Sequence, residues 1–200
     1  IYYSLIKSKD YYNENYIFVK KLINITIMEN QVSSKSTMLN YGLILGLTSI
    51  FINLIAYAIG IHLDQDWRVG TIGFVAMIIV IVLGIKNFKS ANNNLITWGQ
   101  SVKIGVGISI ISGLIGIIYN LIFINFIEPD FMNLLMEKQV VAWEELNMTE
   151  EQIEASKSMM ETFSSPAITS AIGIIAAAFF GFIISAIAGA IMKRTEEDQY

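Results

Sequence analysis

The sequence predicts an all-α, multi-pass membrane protein with four transmembrane helices and an acidic helical segment between the third and the fourth. The spans are expected where no Asp, Glu, Lys, Arg or His occurs, at 39–61, 69–85, 104–127 and 167–192. Each stretch is close to the ~20 apolar residues that a helix needs to cross the hydrocarbon layer of a bilayer. Composition agrees, because only 15% of the residues are charged whereas soluble domains carry about a quarter.

Residues 1–27 differ in composition from the rest of the chain. They are rich in Tyr, Asn, Lys and Ile, contain no long apolar run, and precede the first methionine, Met28. We therefore expect translation to begin at Met28 and residues 28–200 to form a single membrane domain. The alternative is a natural interfacial arm, because apolar residues flank Lys20 and Lys21 and such a segment can lie on an anionic membrane.

The orientation of the four spans is predicted from the distribution of lysine and arginine. The connection 86–103 carries three lysines and no acid, whereas the turn 61–68 carries Arg68 together with two aspartates. Basic residues in short connections tend to remain on the cytoplasmic side. We therefore expect both termini and the connection 86–103 in the cytoplasm, with 61–68 and 128–165 on the outside.

Small residues indicate the faces on which the spans pack. Helices in lipid are not driven together by the hydrophobic effect, so small side chains that permit close backbone approach mark their contacts. In the fourth span such residues recur at every fourth position: Gly173, Ala177, Gly181, Ser185 and Gly189. The pattern predicts one compact four-helix bundle, and a homo-oligomer formed through a remaining face is the alternative.

The first and third spans carry similar faces. We expect Gly42, Gly46 and Asn53 to pack in the first span, and Gly105 and Gly113 in the third. Asn53 lies near the middle of its span, where a side-chain amide usually finds an interhelical hydrogen bond. We expect it to join helices, and a role in a solute site is the alternative.

The sequence predicts no catalytic residue, metal site or cofactor. The chain has no cysteine, and no ionisable side chain lies within a span, where proton-coupled transport and voltage sensing normally require one. His62 follows the first span beside Asp64 and Asp66, and we expect this turn to be solvated rather than to bind a metal. Phosphate-binding loops, hydrolase motifs and basic aromatic patches for nucleic acid are also missing.

The connection 128–165 is strongly acidic and carries helix signals. It holds nine acidic residues against two lysines. Pro129 suits the first position of a helix, and Thr149 with Gln152 has the spacing of a capping box. We expect two helices separated by a break near Asn147, followed by direct entry into the fourth span. Their apolar faces either rest on the bundle or bind a partner.

Two segments border the third span in a recognisable way. ITWGQSVKIG, at 96–105, leads into a span rich in serine and glycine, and IEPDF, at 127–131, opens the acidic connection. With these segments the chain resembles domain of unknown function family 4199 over roughly 35–194. The resemblance implies a four-span inner-membrane protein of Bacteroidetes. It implies no established activity and no functional residues.

The sequence favours a non-enzymatic accessory or scaffold protein of the bacterial inner membrane, in contact with the lipid bilayer and a membrane or envelope protein. The alternative is a small oligomeric transporter or channel without proton coupling, with Asn53 and Asn120 lining a path. An intramembrane enzyme acting on lipids is the weakest reading, because no acid, base, nucleophile or metal cluster lies at membrane depth.

The predicted orientation can be tested with single cysteines, because the chain contains none. In intact spheroplasts an impermeant thiol reagent should label Ser156→Cys, in the outer segment, and leave Ser90→Cys unlabelled until the membrane is permeabilised. Labelling of Ser90→Cys with protection of Ser156→Cys would mean that the topology is inverted.

Overall fold

The computed structural model describes residues 33–64 and 66–195, and this part of the chain is built from α-helices. The six α-helices of the described residues are α1 Ser34–Ala58, α2 Trp67–Ala91, α3 Trp98–Ile122, α4 Phe131–Glu145, α5 Glu150–Phe163 and α6 Pro166–Met192. A π-helical turn, Phe123–Ile127, continues α3. Four helices, namely α1, α2, α3 with its π-helical turn, and α6, are long and apolar enough to span a membrane. The predicted all-helical, four-span class is confirmed, whereas the expected start at Met28 lies outside the described residues.

The helices extend beyond the charge-free stretches on the lysine-rich side of the bundle. α2 ends at Ala91 rather than at 85, and α3 begins at Trp98 rather than at 104. Three lysines lie in these two extensions. A lysine does not end a membrane helix, because its stem can follow the apolar surface while its ammonium group reaches water. The two helices therefore continue past the charge-free stretches that are expected to lie in the membrane.

The turn between α1 and α2 is tight. α1 ends at Ala58, and Gly60 follows with a φ of 78°, a conformation that glycine adopts without steric cost. Asp66 then caps α2, since its carboxylate accepts a hydrogen bond from the Arg68 N–H at 2.9 Å. Hydrogen bonds from the Arg68 side chain and backbone lower the pKa of the Asp66 carboxyl from its ordinary value.

α3 and α6 run antiparallel and share the most extensive interface of the bundle. Along it, a serine on one helix faces a glycine on the other, so that a Cβ added at the glycine would collide with the serine. The three pairs are Ser101 with Gly189, Ser185 with Gly105, and Ser109 with Gly181. Successive pairs are four residues apart on both helices, and the contact therefore follows a single stripe along each helix.

The serines of this interface satisfy their hydroxyl groups within their own helices. Ser109 Oγ donates to the Gly105 carbonyl at 2.9 Å, and Ser185 Oγ donates to the Gly181 carbonyl at 2.5 Å. A small residue whose hydroxyl is already paired requires no partner across the interface. The two backbones can therefore approach closely without leaving a polar group unpaired in hydrocarbon.

α1 packs on a different side of α3, where two isoleucines of α3 lie over two glycines of α1. A Cβ added at Gly42 would lie 2.7 Å from the Ile111 Cβ, and one added at Gly46 would lie 2.8 Å from the Ile115 Cδ1. α1 and α3 run in the same direction, so the contact again advances by four residues on both helices. Two glycines expected to pack in the first span thus face α3.

α2 completes the core on the third side of α3. Ile81 and Ile85 of α2 and Ile104 and Ile108 of α3 are completely buried. All four lie toward the end of the bundle that holds Ile96. We call this end the Ile96 end, and the opposite end, which holds the 59–66 turn together with α4 and α5, the His62 end.

The Ile96 end is held by contacts between distant parts of the chain. Ile96 and Arg194 exchange two backbone hydrogen bonds of 2.9 Å, which join the α2–α3 connection to the segment after α6. The Lys89 ammonium donates to the Met192 carbonyl at 2.8 Å, and thereby also satisfies an open carbonyl at the end of α6.

Gly181→Ile should lower the free energy of unfolding by about 1–3 kcal/mol, because the new side chain would meet Ser109 and the Gly105 backbone. Gly173→Ile is the matched control, since an added Cβ at Gly173 meets no atom within 4 Å. Phe179→Leu, on another side of α6, should also have little effect. Thermal unfolding in detergent measures all three, and equal losses for Gly181→Ile and Gly173→Ile would contradict the close contact.

Candidate functional site

At the His62 end, three aromatic rings and a carboxylate surround His62, and a fourth ring contacts one of the three. The ring centroids of Tyr57 and His62 are 4.9 Å apart, and Phe131 stacks on the imidazole at 6.1 Å. Phe123 lies edge-on to Tyr57 and Phe131, and Tyr119 lies 5.8 Å from Phe123. We call this group, with Glu128, the histidine cluster. It draws on the end of α1, the following turn, the end of α3 and the start of α4.

His62 is paired with Glu128 rather than with its sequence neighbours. Its Nε2 atom lies 2.8 Å from Glu128 Oε2, and only 16% and 17% of the two side chains are exposed. Asp64 instead forms an ion pair with Lys138 of α4, and Asp66 caps α2. The expectation of a solvated His62 beside two aspartates is therefore wrong, because the turn after Gly60 directs the imidazole onto the end of α3.

The π-helical turn Phe123–Ile127 shapes this cluster. Its closing hydrogen bond runs from the Glu128 N–H to the Phe123 carbonyl at 2.9 Å, across five residues instead of four. Such a turn inserts one residue into an α-helix and changes the direction of the side chains that follow. Phe123 is buried at the start of the turn and Glu128 reaches His62 at its end. π-helical turns of this kind occur frequently at functional sites.

Two polar atoms of the cluster are buried without a hydrogen-bond partner among the described residues. They are His62 Nδ1 and the Tyr119 hydroxyl oxygen. With Nε2 bound to a carboxylate, Nδ1 of a neutral imidazole is a free acceptor, and in the protonated ring it is a free donor. In either form of the ring, Nδ1 keeps an unused hydrogen-bonding position.

The acidic segment forms two helices, as the sequence predicts. The capping box at the start of α5 is confirmed: the Gln152 N–H donates to Thr149 Oγ1 at 3.3 Å, and the Thr149 N–H donates to Gln152 Oε1 at 2.9 Å. Asn147 has a φ of 55° at the break between the helices. The first helix begins at Phe131 rather than at Pro129, because a turn closed by the Phe131 N–H and the Glu128 carbonyl comes first.

The two acidic helices, α4 and α5, leave apolar side chains exposed. None of the residues in either helix is buried. The exposed large apolar side chains of this helix pair and its connection are Val141, Leu146, Met159 and Phe163. The apolar faces predicted for this segment are therefore only partly covered: Leu146 and Phe163 are exposed, whereas Phe131, Leu134 and Leu135 are half-buried.

A cleft of about 410 Å³ opens between the four spans in the half of the bundle toward the His62 end. Its walls come from all four helices and combine small, apolar and a few polar side chains. Its lining residues include Ser49, Asn53, Gly70, Gly73, Met77, Ser112 and Gly116. Ala177 and Gly113 of the predicted packing stripes also line it.

Asn53 lies at this cleft and forms its hydrogen bond within its own helix. Its side-chain amide donates to the Ser49 carbonyl at 2.9 Å, and none of the residues that the structure describes on another helix forms the expected hydrogen bond with it. Asn120, the second amide expected to line a path, lies at a smaller cleft that also contains Thr169 and shares Gly113 and Gly116 with the first. The two amides therefore line adjoining clefts rather than a single one.

The chain is similar to one protein family over most of its length. The family model of proteins of unknown function, DUF4199, matches residues 40–194. The chain belongs to this family. No curated protein and no solved structure matches it. The histidine cluster, the acidic helix pair and the cleft of this DUF4199 protein all lie within the matched residues.

Sequence reasoning on this DUF4199 protein missed the histidine cluster for a specific reason. His62 and Glu128 are separated by 66 positions and belong to two different connections. Neither spacing nor periodicity links them. The available signal was the grouping of both connections at the same membrane surface, which places His62 and Glu128 at one end of the bundle without pairing them.

Glu128→Ala should destabilise the protein by about 1–3 kcal/mol, because it leaves the largely buried His62 Nε2 without its partner. Asp130→Ala is the control, since Asp130 is an exposed carboxylate that forms no cap hydrogen bond with α4. Thermal unfolding of both variants in detergent tests the difference. A loss of stability for Asp130→Ala as large as that for Glu128→Ala would show that the buried pair has no special role.

Proposed function

We propose that this DUF4199 protein is a non-enzymatic accessory or scaffold component of the bacterial inner membrane, and that it binds a membrane or envelope protein through α4 and α5. The observation that carries the proposal is the exposed apolar surface of this helix pair. Val141 and Leu146 are 54% and 73% exposed outside the four spans. Association with a protein would remove these apolar side chains from water, which favours binding.

The charge of the segment defines the partner. Nine acidic residues against two lysines surround the apolar side chains, so a basic surface complements the helix pair best. Anionic headgroups would be repelled, which favours a protein over the bilayer surface. The expected partner therefore presents lysine or arginine around an apolar centre.

Two contacts fix the base of the helix pair to the bundle. Glu128 pairs with His62 just before α4, and Lys138 of α4 pairs with Asp64. Both contacts join the pair to the turn after α1. A binding surface held at its base loses less conformational freedom on association, which suits a scaffold.

The charge distribution supports the orientation within this proposal. The connection at the Ile96 end and the start of the tail carry lysine and arginine, including Lys89 and Lys193, whereas the His62 end carries most of the acids. Retention of basic connections in the cytoplasm puts both termini inside and α4 and α5 outside.

The cleft between the spans favours the second candidate, an oligomeric transporter or channel without proton coupling. Asn53 and Ser49 give its wall polar atoms. Asn120 lies at a smaller cleft that shares Gly113 and Gly116 with this one, so both amides lie beside adjoining spaces of one chain. Solute flux into liposomes distinguishes the candidates, because the scaffold should add no flux above that of empty vesicles.

The partner proposal is tested by a photoreactive amino acid at Leu146 in cells. We expect one defined protein adduct, and its yield should fall about tenfold when Glu150, Glu151 and Glu154 are changed to lysine, because a basic partner is then repelled. A photoreactive residue at Ile191, an exposed apolar position on α6, is the control and should give no such adduct.

An adduct at Leu146 that is insensitive to the charge reversal would contradict a basic partner. The same adduct from both Leu146 and Ile191 would mean that the contact is not specific to the helix pair. Raising the ionic strength should lower the yield in the parent protein, because exposed charges are screened.

A further inference from the structure

We propose that the cleft between the four spans binds one acyl chain of a membrane lipid, with the ester or hydroxyl group of that lipid at Asn53. This site does not depend on the acidic helix pair. Its test therefore succeeds or fails independently of the proposed scaffold function.

The depth of the cleft corresponds to one leaflet of the bilayer. Gly70 and Met77 line it and follow the start of α2 by three and ten residues. At 1.5 Å per residue they lie about 5 and 15 Å below that end of the helix. Half of the ~30 Å hydrocarbon layer covers the same depth. The cleft is open, so its surroundings at this depth are lipid chains.

Three glycines in the cleft have no role in close helix contact. A Cβ added at Gly70, Gly73 or Gly116 would meet no atom within 4 Å, in contrast to Gly105 and Gly181 on the α3–α6 interface. Glycine in a helix costs about 1 kcal/mol relative to alanine. At these three positions no helix contact offsets that cost, and the effect of the missing side chains is to leave space.

The remaining walls match an acyl chain with a polar end group. Leu45, Ile52 and Met77 supply apolar contact, and the volume of about 410 Å³ lies within the range of about 300–1,000 Å³ that is usual for ligand sites. The opposite half of the bundle is filled by isoleucine side chains. Room for a chain therefore exists on the side toward the His62 end.

Two polar groups in the cleft are available to a ligand. The Asn53 amide nitrogen is bound to Ser49, and no described residue donates to its carbonyl oxygen. Ser112 is buried, with 9% of its surface exposed, and none of the described residues forms a hydrogen bond with its hydroxyl. Asn53 lies five residues before the end of α1, about 8 Å along the helix from that end, and so nearer to the polar surface of the membrane than Met77.

The experiment measures bound lipid by native mass spectrometry of protein purified in mild detergent from a bacterial membrane. We expect the parent to carry one phospholipid per chain. Gly70→Leu combined with Gly73→Leu should lower the lipid-bound fraction at least about tenfold, because two side chains then occupy the cleft. Gly99→Leu is the matched control: an added Cβ there also meets no atom within 4 Å, but Gly99 does not line the cleft.

Two further measurements test the site: lipid retention by an Asn53 variant and photolabelling by a lipid acyl chain. Asn53→Leu should lower lipid retention while thermal unfolding in detergent stays close to that of the parent. A phospholipid with a photoreactive group in its acyl chain should label the peptide that contains Met77 in the parent, and this measurement remains informative if the double variant fails to fold. Equal retention in the parent and the correctly folded double variant, or labelling spread over all lipid-facing helices, would overturn the proposal.

Discussion

The close approach of α3 and α6 is the contact on which the rest of the bundle depends. In lipid there is no hydrophobic force between helices, so van der Waals fit must hold them together. Ser109 against Gly181 and Ser185 against Gly105 bring two backbones together while each serine hydroxyl stays paired in its own helix. α3 is then fixed as the central helix, and its other faces receive α1 and α2.

The same architecture divides the bundle into a filled half and an open half. Ile81, Ile85 and Ile108 occupy the core toward the Ile96 end, whereas glycines line a cleft toward the His62 end. Close packing gives rigidity, and a cleft forfeits the contacts that would fill it. Gly70 and Gly73 thus weaken the half of the molecule that has room for a ligand, while the contacts at the Ile96 end hold the helices in place.

Local signals in the sequence predict the helices well and the histidine cluster not at all. The capping box depends on two residues three positions apart, Thr149 and Gln152, and such a spacing can be read directly from the sequence. His62 and Glu128 meet only because four helices have assembled and a π-helical turn has changed the direction of the chain after Phe123. For Asn53 the sequence predicts a hydrogen bond between helices that the described residues do not form. Its amide nitrogen donates instead to a carbonyl four residues earlier in its own helix.

The two contacts at the base of the acidic helix pair differ in exposure and therefore in how much they stabilise the protein. The Lys138–Asp64 pair is about half exposed on both sides, and exposed ion pairs contribute only about 0.2–1 kcal/mol because water screens them. The His62–Glu128 pair is mostly shielded by Tyr57, Phe123 and Phe131, so removing one partner leaves a polar group without water or protein to replace it. The position of α4 relative to the bundle therefore depends mainly on the histidine cluster, and the exposed pair has the smaller role of limiting rotation about that point.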